Sequence, residues 1–536
     1  MRRRRLESPI LSIVSRLGLM LAVSTTGVAA PAVAQETTSW MVLSGEQSGD
    51  DFGYFVQGIG RFDGDDVDDF MVSAPSYGSN NGRVYVYYGG STPNSTPDLV
   101  LSAIGPDRIG YAIGAADFNG DGFRDALVGF DNGTLASSRI RIYFGGNPPS
   151  GAPGRSLLAA PGGTFAAAWV VASGGDLNED GLEDVVANAV TSDGHGQVLV
   201  YYGRAGTSGP DLTPDVVIQT SDVGTRFGEA LAGTRDITGD GNDDLAVGDA
   251  ALGRVYVFRG TGAGISLLPT TLTLPGPSTW IAIASGALST VPGRRDLIVS
   301  KVDPWTTTSR VYVYHGGSSW NVTPDVTYQN TAFAFGFALA TTRLYAAEDK
   351  LLIGAPNADP DWSGMAFLHG VHSLPATQTL AGATHSQLGW ALAGGVDVNG
   401  DGRGDYLVGA PTAGSGQVDV RIAVTGGGGG KDPPYQYSTT RAGRDGRTHL
   451  LANAPEPFSS GTRLRFALRE PGQVSLRIFD LRGRLVREFG MSGAAGEQWV
   501  TWDGRDGRGE ALPNGVYFVR LQAGTERDLE RVTLIH

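Results

Sequence analysis

Asp397-Val-Asn399-Gly-Asp401-Gly-Arg-Gly-Asp405-Tyr-Leu-Val-Gly-Ala-Pro411 is an acidic nine-residue phrase that runs directly into a short apolar one. The acidic phrase recurs as Asp117-Phe-Asn119-Gly-Asp121-Gly-Phe-Arg-Asp125, Asp176-Leu-Asn178-Glu-Asp180-Gly-Leu-Glu-Asp184 and Asp236-Ile-Thr238-Gly-Asp240-Gly-Asn-Asp-Asp244. Each copy carries side-chain oxygens at positions 1, 3, 5 and 9, and Gly at position 6 lets the backbone turn sharply. A hard divalent cation with six to eight oxygen ligands asks for this donor set. A single Asp/Asn/Gly-rich turn is ordinarily a solvated turn and nothing more. Four aligned copies, each converging three or four acidic or amide side chains, predict about four structural Ca2+ sites with those sixteen residues as ligands.

The phrase sits in a longer frame. Each copy opens on an apolar residue, usually followed by Gly: Phe52-Gly53, Ile109-Gly110, Phe165-Ala166, Phe227-Gly228, Trp280-Ile281, Phe335-Gly336 and Leu388-Gly389, at intervals of 53 to 62 residues. A fixed period of this kind marks a repeat architecture. After the acidic loop come an apolar run such as Leu351-Leu-Ile-Gly-Ala-Pro356 and a β-branched, aromatic run such as Arg83-Val-Tyr-Val-Tyr-Tyr88 or Arg310-Val-Tyr-Val-Tyr314, bounded by Gly as strands are. Segments such as Pro97-Asp-Leu-Val-Leu101 and Pro324-Asp-Val-Thr-Tyr328 supply a fourth strand. Four strands per repeat make a propeller blade, and the count is seven. Trp40-Met-Val-Leu43 is a fourth-strand segment with no blade before it, and nothing similar follows Val424. The N-terminal strand is therefore expected to complete blade 7 and close the ring, removing an exposed sheet edge.

Residues 38 to 425 resemble the FG-GAP repeat of the integrin alpha-subunit β-propeller, through the opener, the acidic loop and the Gly-Ala-Pro run. That family's loops are of the Asp-x-Asn-x-Asp-Gly-x-x-Asp type, so the resemblance implies calcium and a role in adhesion. Blade 1 departs from the pattern: Arg61 takes the first position and Asp66 replaces the Gly, which leaves Asp63, Asp65 and Asp69 as a weak fifth site. Blade 5 aligns as Leu288, Thr290, Pro292 and Asp296, and blade 6 has Lys350 at the ninth place, so neither is expected to bind metal.

Past Val424 the chain passes through Gly426 to Gly430 and Pro433-Pro434, a linker read over 426–453. Residues 454–536 then show six alternating strand-like runs, among them Val474-Ser-Leu-Arg-Ile-Phe479 and Val516-Tyr-Phe-Val-Arg-Leu521, the pattern of a small β-sandwich. The fold class is thus all-β. Ala454-Pro-Glu-Pro457-Phe458, Phe479-Asp-Leu-Arg-Gly483, Trp502-Asp503-Gly504, Gly509 and Gly515-Val-Tyr517-Phe518 resemble the C-terminal Ig-like module of many secreted bacterial proteins. That family is related to the flagellar hook-cap Ig-like domain and to type IX secretion sorting domains. The resemblance implies a bacterial source and a sorting or surface-attachment role, although the opening lacks the usual Asn-Pro-Phe-Asn-Pro signature.

The first 34 residues read as a signal peptide: Arg2 to Arg5, an apolar stretch around Leu17 to Val23, and Ala32-Val33-Ala34 before Gln35. No other segment is long and apolar enough to span a membrane, so no transmembrane anchor is expected in the mature chain. The chain has no Cys, hence no disulfides, and leaves stapling of an exported fold to calcium. The net charge of −14 is concentrated in the propeller region, while the C-terminal segment is slightly basic, so nucleic acid is not an expected partner.

Catalytic signatures are missing: there is no Gly-x-Ser-x-Gly, His-Glu-x-x-His or Walker loop. His369 and His372 read as packed or solvated, and Arg403-Gly404-Asp405 as a coincidence inside a cation loop. The Tyr-rich strands, with Tyr85, Tyr87 and Tyr88, read as blade packing. The expectation is an exported, calcium-braced, non-enzymatic protein, secreted or held at the bacterial surface, acting in adhesion to a protein or glycan ligand. Two alternatives stand beside it: a secreted lectin with small sugars between blades, and an accessory subunit of an exoenzyme.

Overall fold

In the computed structural model the described residues are 36–423 and 449–534, apart from 104–107, 132–138, 159–162, 165–169, 192–194, 207–208, 224–225, 276–277, 290–294, 304–306, 319, 346–347, 360, 371–375, 455–461, 469–471, 481–483, 494–495 and 525. The signal-peptide reading, most of the linker, the Phe165-Ala166 opener and His372 lie outside them.

Seven antiparallel sheets follow one another along the chain, each with a core of four strands taken in sequence order, except that the last draws its fourth strand from the N-terminus. Blade 1 is Val56–Gly60, Asp69–Ala74, Arg83–Tyr87 and Leu99–Ser102. The first strand of every blade neighbours the first strand of the next, and that of blade 7, Ala391–Val396, neighbours Val56–Gly60, so the ring is closed. Burial follows from this arrangement. First and second strands are buried on both faces, as in Val56–Gly60 and Asp69–Ala74, whereas outer strands such as Leu99–Ser102 bury only alternate residues. Alternation decides which neighbour each residue meets: Met71, Val84 and Val86 pack toward blade 2, while Phe70, Val72, Tyr85 and Tyr87 pack toward blade 7. Seven such apolar clusters fill the seven interfaces between blades. Tyr85 and Tyr87 are each 3% exposed, which makes them packing residues.

The opener glycines are set by backbone geometry. Gly53, Gly110, Gly228, Gly336 and Gly389 all have φ between +86° and +90°, where a side chain is strained. At Gly53 and Gly389 an added Cβ would also meet a backbone oxygen at 2.5 and 2.2 Å. Burying Phe52, Ile109, Phe227, Phe335 and Leu388 just before this turn anchors those five blades, whereas the Trp280 opener of blade 5 is only half-buried.

The N-terminal strand Thr37–Ser44 pairs antiparallel with Gln417–Ala423 and becomes the outer strand of blade 7. A buried polar suture holds its start. Thr37 Oγ1 lies 2.7 Å from the Tyr406 hydroxyl, the Thr37 N–H donates to Gln378 Oε1 in blade 6 at 3.2 Å, and the Arg421 guanidinium donates to the Thr37 carbonyl at 3.2 Å. Deleting residues 36–44 is expected to bare the edge of Gln417–Ala423, leave the Arg421 guanidinium short of an acceptor, and make the chain aggregate. Size-exclusion chromatography of the deletion checks this; a monomer with an unchanged melting temperature would show that the closure contributes nothing.

The C-terminal part is a sandwich of a three-stranded and a four-stranded sheet. Its core includes Phe466, Leu476, Ile478, Val519, Leu521 and Val532 around Trp502, which is fully buried and donates Nε1–H to the Arg505 carbonyl at 3.0 Å. The first strand, His449–Ala454, pairs with Thr462–Leu468. It therefore begins inside the segment read from sequence as linker, because its apolar Leu450-Leu451 follows a polar stretch that hides it.

Candidate functional site

Each blade's first strand runs from its opener to its acidic loop, so openers and loops emerge at opposite ends of the ring. The loop end is built the same way four times. The position-1 carboxylate is held by the N–H of the position-6 glycine: Gly122 to Asp117 at 3.0 Å, Gly181 to Asp176 at 2.9 Å, Gly241 to Asp236 at 2.9 Å and Gly402 to Asp397 at 2.8 Å. Those glycines have φ between +82° and +98°. At position 3, Asn119, Asn178 and Asn399 accept from the N–H two residues on at 2.9, 3.2 and 2.9 Å. At position 5, Asp121, Asp180, Asp240 and Asp401 accept likewise at 2.9, 2.9, 3.1 and 2.9 Å.

Position 2 is an apolar peg, Phe118, Leu177, Ile237 or Val398, each fully buried. The peg pulls position 9 inward. Asp125, Asp184, Asp244 and Asp405 are fully buried at the start of the second strand, and each accepts the N–H of its own peg residue, at 3.0, 2.8, 3.0 and 3.1 Å. In blades 2 and 3 the other oxygen takes an N–H from the end of the third strand, Gly145 at 3.0 Å and Gly203 at 2.9 Å. Burial pushes the carboxyls of Asp125 and Asp184 up to about 8 and that of Asp244 to about 7, and raises Asp405 strongly. The other loop carboxylates add to the rise, and the backbone N–H groups oppose it. Asp405 Oδ1 is buried without a well-formed hydrogen bond, although the Ala423 amide contributes there.

An acid buried beside two or three like charges is costly to ionise unless a cation is present. The donor chemistry, all oxygen, and the partly unsatisfied buried carboxylate fit a hard cation. As the side chains stand they are turned to the loop amides, and among the described residues no set of three acids is closed around one point. A bound ion would replace some of the Asx-type bonds.

Blade 1 keeps the turn, with Asp65 N–H to Asp63 at 3.0 Å, Val67 N–H to Asp65 at 2.8 Å and Phe62 N–H to the buried Asp69 at 2.9 Å. Its Arg61 pairs with Asp66 at 3.0 Å. Burial raises Asp63 and takes Asp69 to about 8. In blade 5 the sequence alignment is off by one. Leu288, 2% exposed, is the buried peg, and Ala287 holds the first position, because this loop carries one residue more before Asp296. Asp296 there faces His315 Nδ1 at 3.1 Å. In blade 6, Lys350 reaches Glu36 at 3.5 Å. Asp405 of the Arg403-Gly404-Asp405 tripeptide is wholly buried, and a Cβ on Gly404 would stand 2.9 Å from the Arg343 backbone, so the tripeptide is loop architecture. His369 is 4% exposed and packs edge-on to Tyr328 at 4.9 Å.

The opposite, opener end carries a feature missed in the sequence reading. The residues just after four opener glycines are Tyr54, Tyr111, Phe337 and Trp390. With Trp280 they form a contact series across blades 5, 6, 7, 1 and 2: Trp280–Phe337 stacked at 4.6 Å, Phe337–Trp390 at 4.8 Å, Trp390–Tyr54 at 5.6 Å and Tyr54–Tyr111 at 6.4 Å. All but Phe337 are only half-buried. Blade 4 places Glu229 at the equivalent position, 2% exposed, with Oε1 accepting the Ala250 N–H at 2.9 Å. The signal was an aromatic residue repeated after the opener glycine.

Comparison with known proteins gives both halves a likeness. Residues 454–527 match the FlgD Ig-like domain. The propeller is similar to integrin alpha chains. Human integrin alpha-7 is 30% identical over 224 residues, 39% of this chain and 18% of that protein. Integrin alpha-5 of Xenopus laevis is 29% identical over 241 residues, 41% and 22% respectively, and human integrin alpha-IIb 30% over 226 residues, 39% and 21%. The chain thus spans about a fifth of the length of these relatives. With the closed ring of four-stranded blades, these matches support an integrin alpha-like FG-GAP propeller followed by an Ig-like domain. Among the described residues no helix is long and apolar enough to cross a membrane.

Proposed function

We infer that this chain is an exported adhesion or interaction protein without catalytic activity, whose propeller is braced by calcium at the loop end and meets a protein or glycan ligand at the opener end. The observation that carries the choice of face is the aromatic series from Trp280 to Tyr111. Half-exposed, mutually packed aromatics are rigid contact area with little ordering cost, which is what interface anchors are made of. The acidic loops serve the other end, where Asp117, Asn119, Asp121 and Asp125 and their counterparts hold about four Ca2+ ions, with Asp63, Asp65 and Asp69 a weaker fifth set. The relatives' being integrin alpha chains supports adhesion as the class of activity. The FlgD-like domain at 454–527 supports attachment to export or surface machinery, and hence a secreted or cell-surface location.

The test is a binding screen of the purified chain in millimolar calcium against arrayed glycans and arrayed extracellular proteins, repeated with Trp390→Ala and Tyr54→Ala. Loss of an interface aromatic is expected to weaken binding about 30-fold, the equivalent of ~2 kcal/mol. Binding that both variants keep would move the ligand off this face. Saturable competition by a free monosaccharide would favour the lectin alternative, and hydrolysis by the purified chain the exoenzyme one.

A further inference from the structure

The residue at loop position 8 was assigned nothing by the cation pattern, yet it is the one that reaches across to the neighbouring blade. Asp68, in the loop of blade 1, donates its N–H to the Asp397 carbonyl at 3.1 Å and accepts the Asp397 N–H on Oδ2 at 3.0 Å. Asp397 is position 1 of the blade 7 loop. The same two-bond clasp joins Asp349 of blade 6 to Ala287 of blade 5: the Asp349 N–H donates to the Ala287 carbonyl at 3.1 Å, and the Ala287 N–H donates to Asp349 Oδ2 at 2.7 Å. Asp243 of blade 4 takes the Asp176 N–H on Oδ2 at 3.0 Å, and Asp176 is position 1 of the blade 3 loop. The close approach explains a glycine: a Cβ on Gly175, φ +85°, would stand 2.5 Å from Asp243 Oδ2. Arg124 and Gly404 keep the backbone half only, donating to the Arg61 carbonyl at 3.2 Å and the Arg343 carbonyl at 2.8 Å. Glu183 of blade 3 turns instead to Arg124 and Arg235, at 2.8 and 3.2 Å.

The clasp on Ala287, which has no ligand atom, shows that its first duty is joining blades. Where the clasped residue is an acid, the clasp does something more. Fixing both the N–H and C=O of Asp397, and the N–H of Asp176, restrains the backbone there, and with it the direction in which each carboxylate leaves the chain. We propose that Asp68 and Asp243 are positioning residues for cation loops they do not belong to: Asp68 aims the first ligand of blade 7, and Asp243 the first ligand of blade 3. This rests on the calcium reading above. A partner one shell out from a metal typically changes affinity 10- to 100-fold when removed, by leaving the ligand to find its orientation at the moment of binding. Asp68 offers the cleaner case, since its own loop has Arg61 where an acid would be.

The experiment is isothermal titration of the full chain with calcium after chelator removal, for the wild type, Asp68→Ala, Asp68→Asn and Asp401→Ala, and for the two Asp68 variants combined with Asp401→Ala. Asp68→Ala is expected to weaken one site about 10-fold while the others keep their affinity. Asp68→Asn, whose amide oxygen still accepts the Asp397 N–H, is expected to stay within about threefold of wild type, which separates orientation from charge and from simple unfolding. In the Asp401→Ala background, where the blade 7 site is already lost, Asp68→Ala should change nothing further. An Asp68→Ala protein with every site at wild-type affinity would overturn the proposal, as would an equal loss in Asp68→Asn or a further loss on top of Asp401→Ala. A wild type that takes up no calcium would remove the reading on which it rests, a different result from a wild type that binds and a variant that binds equally well.

Discussion

The purified chain in millimolar calcium is expected to melt about 13 °C above its temperature in excess EDTA, and Asp121→Ala or Asp240→Ala each to remove about 3 °C of that gain. The size follows from mass action. A ligand that binds only the native state at about 100 times its dissociation constant adds ~2.7 kcal/mol. At ~2.1 cal/mol/K of unfolding entropy per residue over the propeller, that is roughly 3 °C for each of four sites. The position-5 residues are the choice for substitution because Asp121 and Asp240 are exposed, Asp121 bonds only within its own loop and Asp240 adds only a long surface ion pair to Arg259 at 3.8 Å, so their loss leaves the blade core untouched. Both variants are then expected to match the wild type in EDTA and differ from it only in calcium. Differential scanning calorimetry in the two buffers reads the result. An identical melting temperature with and without calcium would mean that the loops are hydrogen-bonded turns and nothing else.

What could be read in the sequence was whatever a blade carries inside itself. The opener, the acidic loop and the two central strands recur within some 50 residues, so the period exposes them, and the orphan strand around Trp40–Leu43 follows from counting alone. The structure bears this out in the pairing of Thr37–Ser44 with Gln417–Ala423. What stayed hidden belongs to no single copy. The clasp between Asp68 and Asp397 joins residues 329 positions apart, and neither has a sequence mark that distinguishes it from a solvated loop acid. The aromatic series needs one residue from each of five blades. The blade 5 loop was misaligned because counting back from Asp296 assumes a constant loop length, and only the burial of Leu288 shows which residue is the peg. Burial of position 9 was likewise invisible: Asp125 and Asp121 are both loop aspartates on paper, yet one is wholly buried and the other exposed.

That burial sets an expected pH dependence whose sign differs from that of an ordinary paired carboxylate. Asp69, Asp125 and Asp184 are raised to about 8 and Asp244 to about 7, each chiefly by burial. With the native pKa above the ordinary value of 3.8, the native state holds these protons more tightly than the unfolded chain does. Their stabilising contribution is therefore complete below the unfolded pKa and is lost as pH rises through 7 to 8. In EDTA the melting temperature should fall as pH goes from about 5 to about 8.5. Calcium favours the ionised form and reverses the logic: the fall should largely vanish, and binding near neutral pH should release protons, seen as a heat that depends on the buffer's ionisation enthalpy. Asp244→Asn carries the argument furthest, because the Ile237 and Thr238 N–H groups both go to one carboxylate oxygen and the other faces the Thr238 hydroxyl at 3.5 Å, so an amide at this buried place resembles the protonated acid. In EDTA at about pH 8 this variant should be more stable than the wild type, while in calcium it should be less stable, having lost one site. A flat melting profile in EDTA, or an Asn variant destabilised under both conditions, would show that these carboxyls are accommodated as ions without a cation, their N–H bonds from residues such as Phe118 and Gly145 being sufficient.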